Sequence, residues 1–96
     1  MEERELHRRL RLSAKDVPRF RRHLDAAMKH GLRPLVAKSI AARLSECESK
    51  HIALALGVRP TTVRKAVREG VAGLRARGLF DCQRILDVDS DAEGNT

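Results

Sequence analysis

Aromatic residues are almost missing from this sequence. Phe20 and Phe80 are the only two, and neither tryptophan nor tyrosine occurs among the 96 residues. Proteins that bind single-stranded nucleic acid usually stack the bases on aromatic rings, so this composition argues against that class of partner. The core must instead be built from leucine, valine, isoleucine and alanine, and the length suffices for one modest core.

Cysteine, long apolar runs and catalytic motifs are scarce as well. Cys47 and Cys82 are far apart, with neither a C-x-x-C motif nor a nearby histidine pair, which predicts two reduced thiols and no bound metal. No apolar run approaches the ~20 residues that cross a bilayer, and no signal-peptide pattern is visible, so we expect a cytoplasmic protein that contacts no membrane. Because no phosphate-binding glycine loop and no Ser/His/Asp set is present, we expect a protein that is not an enzyme and uses no cofactor.

Positive charge, by contrast, is abundant. The sequence has 20 lysines and arginines against 13 acidic residues, a formal net charge of +7. Four of the acids and no base fall in residues 87–96, so the rest of the chain carries +11. A small body with this charge attracts a polyanion, and since single strands are disfavoured we expect duplex DNA, which would place the protein at the nucleoid. We expect the acidic segment 87–96 to be a disordered tail.

Residues 49–68 have the clearest pattern in the chain, S-K-H-I-A-L-A-L-G-V-R-P-T-T-V-R-K-A-V-R. Ser49 is suited to cap a first helix, and Gly57 is placed to end it in a left-handed conformation. Pro60 suits the first turn of a second helix. Apolar residues at three- and four-residue spacing predict that the two helices pack against each other. The predicted core of this pair consists of Ile52, Ala53, Leu56, Gly57, Val58, Val63 and Val67.

This segment resembles the helix-turn-helix of bacterial regulators. The residues I-A-L-A-L-G-V-R-P-T-T-V-R-K carry the resemblance, and the continuation V-R-K-A-V-R-E-G-V-A-G-L-R is most similar to LuxR-type output domains and to sigma factor region 4. Such motifs usually have serine or threonine capping the second helix, where this chain has Arg59. The resemblance extends over about residues 34–86 and implies a helix that enters the major groove of DNA.

The outer face of the second helix holds the candidate DNA contacts. Arginine pairs bidentately with guanine O6 and N7, and lysine donates to the same edge. This predicts that Arg64, Lys65 and Arg68 read base edges. Phosphate contacts, which fix the register on the duplex, are predicted for Arg59, Thr61, Thr62 and Lys50.

The remaining segments predict an all-α bundle of four to five helices that contains this helix-turn-helix. Residues 1–15 are expected to form a basic arm or a short helix, and residues 16–86 the helical domain. Within it, Asp16 is placed to cap a helix over 17–30 whose apolar stripe ends at Met28, and Pro34 to open a helix over 34–46. The motif's second helix should continue to about residue 77, with Gly70 and Gly73 marking close packing or a dimer contact. Beyond it, a helix over 82–86 is expected; the alternative is a short C-terminal hairpin, which would make the fold a winged helix.

Two functions fit this pattern. The first is a sequence-specific transcriptional regulator of bacterial or phage type that reads the major groove with the helix beginning near Pro60. It would act as a homodimer or as a monomer that contacts RNA polymerase. The second is a protein-binding adaptor or anti-activator that acts on RNA polymerase or another regulator through its basic faces. Cations on the motif's outer face favour DNA, whereas the equally basic N-terminal segments suit either partner.

Overall fold

A computed structural model describes residues 2–76 of the chain. In this range there are five helices and no strand: α1 (Glu3–Arg9), α2 (Asp16–Lys29), α3 (Pro34–Leu44), α4 (Ser49–Leu56) and α5 (Pro60–Ala76). The expected all-helical class is therefore confirmed for residues 2–76. The expected helix over 82–86, the alternative hairpin and the acidic segment 87–96 lie outside the described residues.

Helix α3 is the centre of the bundle. It contacts α2, α4 and α5, and nearly every residue from Val36 to Leu44 is buried. A helix that is buried around its whole circumference needs neighbours on all sides, and its three alanines let those neighbours approach closely. The hydroxyl of Ser39, which is also buried, donates to the Leu35 carbonyl at 2.8 Å and so leaves no unpaired polar group there.

The N-terminal segment folds as helix α1 and packs on α4. Leu6 and Leu10 are only 2% and 3% exposed, so this short helix contributes to the core. The ring of His51 bonds through Nε2 to the Leu10 carbonyl at 2.9 Å, which ties the end of α1 to α4. Towards α2, the rings of His7 and Phe20 meet edge to face with their centroids 5.4 Å apart. For residues 1–15 the sequence predicts either a basic arm or a short helix, and the structure has a short helix over Glu3–Arg9.

Helices α1 to α4 all end in the same way. After each one, a pair of backbone hydrogen bonds closes around a residue with positive φ, one bond reaching back five residues and the other three. The residue that follows the positive φ is Leu, Val or Cys, and it packs on the core in every case. The four pairs are Arg11–Leu12, Gly31–Leu32, Glu46–Cys47 and Gly57–Val58.

Two of these four helix ends lack glycine. Arg11 and Glu46 have φ of 55° and 69°, in the left-handed region where a Cβ is crowded by the backbone. The helix expected over 34–46 accordingly ends at Leu44, because the backbone reverses at Glu46. Both ends therefore carry local strain that glycine would remove.

Both predicted helix caps are wrong. Ser49 is the first residue of α4 and does not precede it, and its hydroxyl is buried with no hydrogen-bond partner among the described residues. Asp16 likewise lies inside the first turn of α2, where its backbone N–H donates to Ser13 Oγ at 3.3 Å. The Ser13 hydroxyl donates in turn to Asp16 Oδ2 at 3.0 Å, so these two residues close the start of α2 together. The predicted apolar stripe of α2 is also wrong at Met28, which is 45% exposed.

The crossing of α5 over α3 depends on a glycine. A Cβ on Gly70 would lie 1.8 Å from Ile40 Cδ1 and 2.8 Å from Val36 Cγ1. A side chain at this position would therefore overlap Ile40 and Val36, which are both fully buried and would have to shift. At Gly73, a Cβ would lie 3.3 Å from Leu32 Cδ2, which is tight but involves only the end of a flexible side chain. Gly70 thus serves the packing of α5 against α3 within the chain.

We expect Gly70→Ala to lower the free energy of unfolding by about 1 kcal/mol, since overpacking a core costs about 1–3 kcal/mol and the higher helix propensity of alanine offsets about 1 kcal/mol of that cost. Gly73→Ala is the matched control. There a small shift of Leu32 accommodates the methyl group, and the higher helix propensity of alanine, about 1 kcal/mol, offsets the cost. Urea denaturation followed by circular dichroism measures both variants, and equal stability of the two would contradict the close crossing at Gly70.

We expect Glu46→Gly to be more stable than Glu46→Ala by about 1 kcal/mol, because only glycine adopts the left-handed conformation without a crowded Cβ. Comparing the two variants with each other removes the contribution of the glutamate side chain, which both lack. The measurement is the urea midpoint at constant m-value. Should alanine be as stable as glycine, the backbone at residue 46 does not have a positive φ in solution.

Candidate nucleic-acid interface

Helices α4 and α5 are joined by only three residues, 57–59. Gly57 has φ 70° and ψ 32°, and the Val58 N–H donates to the Ala53 carbonyl at 3.0 Å, which closes the turn. These bonds fix the direction in which α5 leaves α4. Among the predicted core residues of this pair, the buried ones are Ile52, Ala53, Val63 and Val67, and the half-buried ones that pack on the core are Leu56 and Val58. The prediction is wrong for Gly57, which is exposed because the turn lies at the surface.

One face of α5 is turned to solvent. Its exposed polar residues, at spacings of three, four and seven, share this face, whereas the apolar residues point the other way to α3 and α4. Because two helices hold the apolar face, the orientation of the exposed face is fixed by the core. The exposed face carries Thr61, Lys65, Arg68, Glu69 and Arg75.

Arg64 lies at the edge of this exposed face of α5. It is half-buried, and its Nε is enclosed without a hydrogen-bond partner among residues 2–76. Thr62 is half-buried on the opposite edge. The three predicted base readers are thus close in the helix, but only Lys65 and Arg68 are exposed. The predicted phosphate contacts that are exposed are Arg59, Thr61 and Lys50.

Glu69, the only acid of α5 within Pro60–Ala76, is held by an arginine from outside the helix. The guanidinium of Arg33, which precedes α3, donates to both Glu69 carboxylate oxygens at 2.8–3.0 Å. An exposed pair of this kind contributes at most about 1 kcal/mol to stability. Its main effect is electrostatic, since it neutralises the one negative charge beside the cations of α5.

A second basic surface lies beside α4. The basic end of α1 meets α4 there, and the two helices enclose an open groove of about 490 Å³. The spacing of Leu6 and Leu10 indicates a helix in this segment, but nothing in that spacing tells which neighbour covers it. The sequence therefore allows the arginines of this segment to follow a phosphate backbone, but it does not predict that they lie beside α4. The groove is lined by Arg8, Arg9, Arg11, His51, Leu54 and Ala55.

Cys47 lies in an open pocket that is also lined by Asp16, Glu46, Glu48 and His51. Burial raises the pKa of the half-buried Cys47 thiol, the Asp16 carboxylate acts in the same direction and Arg43 opposes them. Since thiols react as thiolates, this environment suits an unreactive, packed thiol; Cys82 lies outside the described residues. Within residues 2–76, no three His, Cys, Asp or Glu side chains are grouped to hold a metal ion, and none of the helices is long and apolar enough to cross a membrane.

Comparison of the chain with protein-family models, with curated proteins and with solved structures finds no match. The partner of this protein must therefore be inferred from the side chains on its own surface. Residues 2–76 contain 18 lysines and arginines against 8 acids. Helix α4 contacts both α1 and α5, the two helices that carry these basic surfaces.

We expect Arg59→Ser to raise the free energy of unfolding by about 1 kcal/mol. Residue 59 immediately precedes α5, where a serine oxygen accepts a bond from the first-turn N–H groups, whereas arginine has no acceptor. The control is Arg59→Ala, which removes the same charge but adds no acceptor. Thermal or urea unfolding compares the two, and a serine variant no more stable than the alanine variant would show that the first turn of α5 is not open to a cap.

Proposed function

We propose that this protein is a sequence-specific, duplex-DNA-binding transcriptional regulator, with α4, residues 57–59 and α5 as its helix-turn-helix. The exposed face of α5 carries the proposal, because its cations stand on a helix whose other face is held by α3 and α4 and whose one acid is paired. A helix about 10–12 Å in diameter fits the major groove, which is about 12 Å wide. The resemblance of residues 52–65 to bacterial helix-turn-helix motifs supports the same assignment.

The candidate contact residues of the motif have two roles in this proposal. Lys65 and Arg68 reach base edges directly from the exposed face. Arg64 reads a base by swinging out from the edge of α5, and its enclosed Nε then gains the partner that it lacks within residues 2–76. Phosphate contacts, which set the register on the duplex and weaken with salt, belong to Arg59, Thr61, Thr62 and Lys50.

A second function is favoured by one observation. Leu54 on α4 is 77% exposed, and it lies in the groove that the arginines of α1 line. A large exposed apolar side chain among cations suits a protein partner whose surface is acidic and apolar. This is the adaptor or anti-activator alternative, in which the chain acts on RNA polymerase or on another regulator.

A homodimer is compatible with the regulator. Helix-turn-helix proteins commonly bind two half-sites as dimers. The exposed Met28 on the outer face of α2 offers an apolar contact for a second copy. A monomer that contacts RNA polymerase beside its DNA site is the other arrangement.

The proposal is tested by selection from a randomised duplex pool with the full-length chain over a series of salt concentrations. We expect the wild type to enrich a defined sequence and the Arg64→Ala/Lys65→Ala/Arg68→Ala variant to lose that preference. Arg64→Ala alone should cost about 1–3 kcal/mol and relax the preference at one base pair, whereas Arg59→Ala should weaken all sequences alike.

The matched control is Lys15→Ala/Arg22→Ala/Lys29→Ala, which removes the same charge from exposed positions on and next to α2. This variant should keep the sequence preference of the wild type. The contrary outcome is weak binding that shows no sequence preference, depends strongly on salt and is the same for the wild type, the α5 triple variant and the control. It would mean that charge alone makes the contact, and the regulator would be excluded.

A further inference from the structure

We propose that the groove between α1 and α4 binds the phosphate backbone beside the major groove, so that the DNA interface continues from α5 onto the N-terminal helix. This inference rests on the proposed function, since it needs α5 in the major groove. It adds three arginines that the helix-turn-helix does not contain. They are Arg8, Arg9 and Arg11.

Helix α1 is a fixed support for these arginines. Its two leucines, Leu6 and Leu10, are buried, and the Leu10 carbonyl accepts the bond from His51 Nε2. A carbonyl oxygen can only accept, so this ring nitrogen carries the proton. Arg8 and Arg9 lie between the two anchored leucines, and Arg11 follows directly. The backbone of the cluster is therefore ordered before DNA arrives, and binding has only long side chains to immobilise.

The groove and the exposed face of α5 share one supporting helix. Helix α4 forms one wall of the groove and packs on α5 as well. In helix-turn-helix complexes the first helix of the motif crosses the sugar-phosphate backbone while the second lies in the major groove. Here α4 is that first helix, so in this proposal the groove along α4 lies next to the same backbone. Lys50, exposed on α4, belongs to this contact as well.

The charges of the groove fit phosphate oxygens. Arg8 and Arg9 share a single acid, Glu5, at 3.7 Å and 2.9 Å, in exposed pairs that are weak in water. Arg11 has no ion-pair partner among residues 2–76. The cluster thus keeps an excess of positive charge, and guanidinium groups bind phosphates bidentately. Three arginines line the groove against one exposed apolar side chain, that of Leu54, so its charge favours a phosphate backbone.

The test uses the full-length chain and the duplex sequence that it enriches, with binding followed by fluorescence anisotropy across a salt series. The groove variant is Arg8→Gln/Arg9→Gln/Arg11→Gln, and the charge-matched control is Lys15→Gln/Arg22→Gln/Lys29→Gln. Each phosphate contact contributes about 0.9 to the slope of log K against log salt, so we expect the groove variant's slope to be shallower by about 2–3. The ratio of wild-type to groove-variant affinity then shrinks about 15–60-fold between about 50 and 200 mM salt, and the control keeps nearly the wild-type slope.

A second variant tests whether a change of fold explains the result. Arg8→Gln/Arg9→Gln leaves the positive-φ residue Arg11 in place, and glutamine keeps the helix propensity of α1. Its slope should be shallower than that of the wild type by about 2. Circular dichroism checks that all variants keep the helical content of the wild type.

Equal slopes for the groove and control variants would overturn the inference. If the Arg64/Lys65/Arg68 alanine variant still loses sequence preference in that case, the proposed function stands and only the groove contact fails. An acidic peptide is the rival occupant, and a fluorescent peptide of alternating leucine and glutamate is its probe. Binding of this peptide that is lost in the groove variant and in Leu54→Ser, with an unchanged DNA salt slope, would assign the groove to a protein partner.

Discussion

The close crossing of α5 over α3 at Gly70 is the constraint on which the rest of the structure depends. With no Cβ at this position, α5 settles directly on Ile40 and Val36 and buries its apolar stripe against the alanine-rich α3. That burial decides which side of α5 points outward. The chain has very few aromatic rings with which to fill wide spaces, so its aliphatic core depends on helices that pack closely.

Much of the helical architecture follows from the sequence. Spacings of three and four residues locate α2 to α5 to within a few residues. Gly31 and Gly57 also predict two helix ends, because these ends need a positive φ that glycine adopts readily. The sequence does not predict the helix ends at Arg11 and Glu46, because neither residue type favours the left-handed conformation. That conformation accompanies the packing of the next residues, Leu12 and Cys47, on the core. The predictions of caps at Ser49 and Asp16 are wrong by one residue, because α4 and α2 each begin at the residue that was expected to precede them.

Part of the candidate site can also be predicted from the sequence. Apolar periodicity predicts the buried side of α5 and hence, by exclusion, its exposed side, so Lys65 and Arg68 are where the sequence puts them. Pairings between distant segments carry no local signature. The contact of Arg33 with Glu69 and the docking of α1 on α4 are of this kind, and only the assembled fold brings the arginines of α1 next to the motif.

The uniform helix endings have a consequence for how this molecule meets a partner. Each reversal after α1, α2, α3 and α4 is closed by main-chain hydrogen bonds and covered by an apolar side chain, so none of the four connections is a hinge. The backbone therefore loses its conformational entropy when the chain folds and not when it binds a partner. What association must still order is the set of arginine and lysine side chains, which are long, hydrated and quick to rearrange. The backbone is thus fixed before a partner binds, while the charged side chains on its surface remain mobile. The rate of encounter with the partner is then governed by the electrostatic field of these charges.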